Sequence, residues 1–149
     1  MRVVSKWAIP VLVEKPACLR AYQAVNLMCQ KVPVWVNHTR LFDPAWRALK
    51  ALKPESVEAW AGGVNETNPD AYLNWISHLV PMCLDLGFCP DSALFHITKE
   101  KQPLRFVVNG NEFRDTGGAL KNLLEQFMVA EKSFGLDYAL AVTRYLEGR

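Results

Sequence analysis

The sequence predicts an α+β fold, predominantly helical, with five or six helices packed around a small, mainly antiparallel sheet. Helical apolar spacing dominates most of residues 16–86, short β-branched and aromatic runs occupy residues 93–114, and the helical spacing then returns. A chain of 149 residues, 50% hydrophobic and 21% charged, can bury one sizeable core. No repeat, linker or low-complexity tract divides it, so a single globular domain over residues 1–149 is expected.

The first apolar run, Trp7 to Val13, is broken by Pro10 and closed by Glu14-Lys15, which suits an edge strand better than a targeting segment. From Pro16 to Lys31, Cys18, Ala21, Tyr22, Val25, Met28 and Cys29 recur at helical spacing, and Pro16 suits a first turn. Val32–Val36 reads as a strand. Asp43-Pro44 is a cap and first-turn proline for a helix over 44–53, with Trp46, Leu49 and Leu52 inward. Pro54-Glu55 predicts another short helix, with Val57 and Trp60 inward and Gly62-Gly63 as its stop.

Asn68-Pro69-Asp70 repeats the cap signal ahead of a central helix carrying Tyr72, Trp75, Ile76, Leu79, Cys83 and Leu86, kinked at Pro81 and stopped by Gly87. Ala93–Thr98 and Leu104–Val108 read as strands, and Asn109-Gly110 is a hairpin turn leading to Asn111–Arg114. Asp115 or Thr116 caps a helix with Leu120, Leu123, Leu124, Phe127 and Phe134 at helical spacing. Asp137 caps the last one, whose apolar face is Tyr138, Val142, Tyr145 and Leu146, and the short connection predicts that the two pack antiparallel.

Charge is segregated along the chain. Residues 1–53 hold nine Lys or Arg against two acids, and residues 54–92 hold six acids and no Lys or Arg. Such a dipole offers a basic and an acidic surface to different partners. Arg40, Arg47, Lys50 and Lys53 form the basic candidate surface, and Glu55, Glu58, Glu66 and Asp70 the acidic one. Among the five tryptophans, Trp7 and Trp60 are the candidates for exposed contact residues.

Catalytic motifs are sparse. His96-Ile97-Thr98 matches half of the paired His-apolar-Thr signature of two-histidine phosphoesterases, with Arg105 on the neighbouring strand as a phosphate clamp. His38-Thr39-Arg40 sets Thr one residue too early, and His78-Leu79-Val80 has no hydroxyl. Cys18, Cys29, Cys83 and Cys89 lack zinc-ligand spacing and read as core thiols, so no metal is expected; the absence of a Walker loop leaves no cofactor expected. Residues 55–75 resemble a helix-turn-helix in part, through Ala59 and Gly63-Val64-Asn65, although no basic residue occupies its reading half.

These observations favour a non-catalytic, cytoplasmic regulatory or interaction module, such as an inhibitor or adaptor. Its expected partner is a protein held through the segregated charges, with no membrane contact and an oligomeric state left open. Nucleic-acid binding through the basic face and a phosphoesterase centred on His96 and Thr98 are the alternatives.

Overall fold

A computed structural model describes residues 9–64, 70–114 and 116–148. Strand β1 (Val11–Val13), helix α1 (Ala21–Met28) and strand β2 (Val34–Val36) form a strand–helix–strand unit. Its strands pair in parallel, Val11 opposite Val34 and Val13 opposite Val36. Parallel neighbours need a crossover connection, which α1 provides. A 3-10 turn (Thr39–Phe42) leads into α2 (Pro44–Lys50), where Asp43 Oδ1 accepts the Ala45 amide at 2.8 Å as a helix cap. The same buried carboxylate accepts the Thr116 amide and hydroxyl, both at 2.9 Å, tying the start of α2 to the approach to α4.

The larger sheet contains β3 (Val57–Gly62), β4 (Leu94–Thr98), β5 (Arg105–Val108) and β6 (Asn111–Phe113) in the order β4-β3-β5-β6. Helix α3 (Ala71–Asp85) separates β3 from β4, whereas α4 (Ala119–Met128) and α5 (Leu136–Glu147) close the chain. The β5–β6 hairpin turns through Asn109 at φ 48° and Gly110 at φ 80°, as its Asn-Gly signal requires. Val57, Ala59, Phe106, Val108 and Phe113 pack inward on α2 and α3. At the centre, Trp46 meets the rings of Phe106 and Phe113 edge-on, at 5.5 and 5.6 Å. Its indole N–H donates to Asp85 at 2.7 Å, so the buried ring leaves no polar atom unpaired.

Several expectations are corrected. The helix expected after Pro54 is β3, because Val57, Ala59 and Ala61 are buried in alternation with the half-buried Glu58 and Trp60. This also removes the first helix of the partial helix-turn-helix. Gly62 is the point where another backbone crosses close by: a Cβ there would lie 1.9 Å from the Glu100 carbonyl. The larger sheet is mixed: β3 pairs in parallel with β4, whereas the β3–β5 and β5–β6 pairings are antiparallel as expected.

Helix α1 begins at Ala21, and Pro16 lies outside it after a cis Lys15–Pro16 bond. Ala24 and Leu27 are its buried residues, whereas Tyr22, Val25, Met28 and Cys29 are exposed, so the inward stripe is rotated from the expected one. Leu52 lies beyond α2 and is exposed, as are Leu120 and Leu124 on α4. Phe134 falls outside α4 and its backbone bonds to β2, donating to Val34 O and accepting from Val36 N, each at 3.0 Å. Helix α4 therefore packs on the 3-10 turn, and α5 packs on α3 and α1. The cap positions of α4 and α5 are Gly118 and Gly135, not Thr116 and Asp137.

Candidate functional site

Strands β1 and β2 run the same way and end side by side, with Glu14-Lys15 following one and Asn37-His38 the other. Outside the carboxyl ends of parallel strands is where open α/β sheets hold ligands. Asn37 donates from Nδ2 to Glu14, fastening the two strand ends together. Lys15 then reaches α3 and donates from Nζ to Asn74 Oδ1. One helical turn later, on the same face of α3, lies His78. Arg40, from the 3-10 turn, places Nη1 2.8 and 2.9 Å from the two ring nitrogens of His78. Ser77 Oγ donates to the Asn74 carbonyl at 2.7 Å, and His38 packs its ring against the edge of Tyr138, 5.7 Å between centroids.

Three distant segments thus bring together an amine, a guanidinium, an amide and two imidazoles. Burial lowers the Lys15 pKa, and the Arg40 charge lowers it further against the opposing pull of Glu14. His78 is pushed down to about 2, first by burial and then by the charges of Arg40 and Lys15. His38 is pushed down to about 4, again mainly by burial. Both rings are therefore neutral near pH 7, and Lys15 gives up its proton more readily than an exposed lysine. A weakened ammonium beside neutral hydrogen-bonding rings is the make-up of a proton-transfer site.

The residues singled out from sequence are not brought together. His96 is exposed on β4, donating or accepting at 2.8 Å with Glu58 and stacking on Trp60 at 5.1 Å; Thr98 is exposed two residues on. Arg105 is one strand further away than expected, because β3 lies between β4 and β5, and its guanidinium covers the opposite side of Trp60 at 4.6 Å. Trp60 is half-buried between them, and Trp7 lies outside the described residues. Arg40 leaves the expected basic surface for the site above. Arg47, Lys50 and Lys53 remain exposed, with Lys50 paired to Asp85 at 2.8 Å. Glu55 and Asp70 are exposed, Glu58 is half-buried, and Glu66 lies outside the described residues. Cys18 and Cys83 are buried, whereas Cys29 and Cys89 are exposed. No group of three or more metal-ligating side chains forms among the described residues. No helix among them is long and apolar enough to cross a membrane.

Several solved structures share this fold. A protein assigned as an oxidoreductase from Magnetospirillum magnetotacticum matches 96% of this chain and 73% of its own, with a TM-score of 0.74 at 21% identity. The dehydrogenase MviM of Clostridium difficile matches 99% of this chain and 72% of its own, at 0.69 and 12% identity. The WlbA dehydrogenase of Thermus thermophilus, solved with NAD and UDP-GlcNAcA, matches 96% of this chain and 64% of its own, at 0.67 and 15% identity. No protein-family model and no curated protein sequence matches the chain. The chain shares its fold with these oxidoreductase and dehydrogenase structures.

That likeness overturns the reading of a non-catalytic interaction module, because the proteins that share the architecture include an oxidoreductase and dehydrogenases. The inhibitor and adaptor roles lose their support with it, and the nucleic-acid and phosphoesterase alternatives are set aside. In the sequence, Lys15 reads only as the polar close of an apolar run, Asn74 belongs to no motif, and His78 lacks a neighbouring hydroxyl. The available signal was a lysine two residues after an apolar strand, with Asn74 and His78 one turn apart on the longest of the described helices.

Proposed function

We propose that the chain forms the acid–base and substrate-holding part of an oxidoreductase acting on a small molecule with a hydroxyl or carbonyl group. The observation that carries this reading is the cluster of Lys15, Arg40, Asn74 and His78 beyond the carboxyl ends of β1 and β2, on a fold shared with dehydrogenases. Lys15 is the group suited to taking a proton from a hydroxyl, or returning one to a carbonyl oxygen, because its ammonium is destabilised by burial and by Arg40. His78 is too weak a base to compete for that proton, so its neutral ring serves as a hydrogen-bonding group toward the same oxygen. Asn74 orients the amine and Arg40 orients the ring.

Two of the similar proteins, the WlbA dehydrogenase and GenD2, were solved with NAD. The turn from β1 to α1, residues 14–20, contains no glycine for close backbone approach, so this turn does not hold the phosphates of a dinucleotide. No step is therefore assigned through that cofactor.

The test is to supply the protein with NAD and, separately, NADH, and to follow nicotinamide absorbance with a panel of sugars, hydroxy acids and their oxidised forms. The expected result is turnover with one substrate class and its loss in Lys15→Met with the fold intact. Absence of turnover across the panel, with no substrate-induced NMR shift at Lys15 or His78, defeats the reading.

A further inference from the structure

Beneath Lys15 lies a small cavity of about 10 Å³, lined by Lys15, His38 and Ser77 on its polar side and by Val36, Ala139 and Val142 among its apolar walls. A volume of roughly 10–15 Å³ is what one water molecule needs. His38 lines it with a ring only 3% exposed, and its Nδ1 is buried without a hydrogen-bond partner. The other ring nitrogen, Nε2, lies 3.4 Å from the Gly135 carbonyl oxygen, which can only accept. Nε2 therefore carries the proton and Nδ1 a lone pair. Leaving such an acceptor buried and unpaired is unfavourable, so one with room beside it marks a polar occupant.

From these observations we infer that the cavity is a site for one internal water, and that through this water His38 acts as a positioning residue for Lys15. The water donates to His38 Nδ1 and to Ser77 Oγ, whose own proton is committed to the Asn74 carbonyl, and it accepts an N–H from Lys15. Three bonds are the usual complement of an internal water. The lysine ammonium has three protons. Asn74 Oδ1 takes one and the water takes a second, which directs the third, or the lone pair of the free amine, away from the cavity toward the open side where a substrate oxygen would approach. Gly135 keeps the ring in place: at φ 76° it passes so close that a Cβ would lie 2.7 Å from His38 Cδ2.

This assignment rests on the reading of Lys15 as the reacting amine, but its test does not need turnover. The groups facing Lys15 are Glu14, Arg40, His38 and His78, and Asp137 faces His38 from α5. His38 is neutral near pH 7, so its replacement removes an acceptor and no charge. The pH titration of the Lys15 Cε chemical shift is to be compared, without substrate, in the wild type, His38→Phe and His38→Asn. An acceptor favours the ammonium, so His38→Phe should move the Lys15 titration to lower pH, and His38→Asn, which keeps an acceptor near Nδ1, should restore it. A high-resolution crystal structure of the wild-type protein should show one water within hydrogen-bond distance of His38 Nδ1. Identical Lys15 titrations in the wild type and a folded His38→Phe, or a cavity without water density, overturn the inference. A shifted titration in a protein that turns over no substrate upholds it and defeats only the oxidoreductase reading.

Discussion

Arg40 Nη1 stands 2.8 Å from Nδ1 and 2.9 Å from Nε2 of His78, 38 positions away in the chain. A guanidinium only donates, so the accepting nitrogen holds a lone pair and the ring is neutral. The contact and the depressed His78 pKa agree: burial first, and then the charge of Arg40, disfavour a second proton on that imidazole.

Acid should therefore destabilise the protein through its histidines. The folded pKa values of His38 and His78, about 4 and about 2, lie below the ordinary 6.5, so between these limits the unfolded chain binds more protons. Their stabilisation is complete above 6.5 and declines as pH falls toward the folded values. For His38 the full decline is on the order of 3 kcal/mol at 1.36 kcal/mol per pH unit. Urea unfolding at about pH 7.5 and about pH 5 should show a lower midpoint in acid, with a smaller drop in His38→Phe.

Asn74→Asp should raise the Lys15 pKa. The change replaces a neutral acceptor by a carboxylate at the atom that already receives the Lys15 hydrogen bond, and an adjacent opposite charge favours the ammonium. The Lys15 Cε titration should move to higher pH, the direction opposite to that of His38→Phe. A proton-abstracting role for Lys15 requires the pH–rate profile to move the same way.

Asp85 joins α3 to α2 and α5. Its carboxylate accepts from the Trp46 indole at 2.7 Å, Lys50 at 2.8 Å and the Tyr138 hydroxyl at 3.0 Å. Asp85→Ala leaves the indole N–H buried without its acceptor and should lower stability by about 2–4 kcal/mol, whereas Lys50→Met, which removes an exposed ion pair, should change it by less than about 1 kcal/mol. Denaturant midpoints of the two variants test this contrast.

Gly135→Ala should be among the most damaging of small substitutions. It places a side chain at a left-handed φ and drives a Cβ into the His38 ring. A loss of at least about 2 kcal/mol is expected. Gly87→Ala shares the positive φ but meets no atom within 4 Å, so it isolates the backbone component. A thermal midpoint for Gly135→Ala no lower than that of Gly87→Ala would contradict this account.

Local rules made much of this fold readable. Asp43-Pro44, Asn109-Gly110 and the spacing of Ile76, Leu79 and Cys83 act within a few residues, and their elements formed where expected. Residues 57–62 were misread because Val57 and Trp60, three apart, imitate a helical face, while the decisive fact is pairing with strands 36 and more residues later. The orientation of α1 was misread for a related reason: which apolar side turns inward depends on α5, at the far end of the chain. The candidate site was least legible of all. Nothing near Lys15 in sequence announces Asn74, and Arg40 reads as one more surface cation until α3 is packed beside it.

Because the site is drawn from the end of β1, the turn after β2 and one face of α3, no single stretch of chain can assemble it alone. A nascent or partly folded chain would carry these groups at their ordinary solution pKa values. A lowered Lys15 titration is thus a signature of completed folding, because burial and the Arg40 charge reach the amine only once the three segments have met.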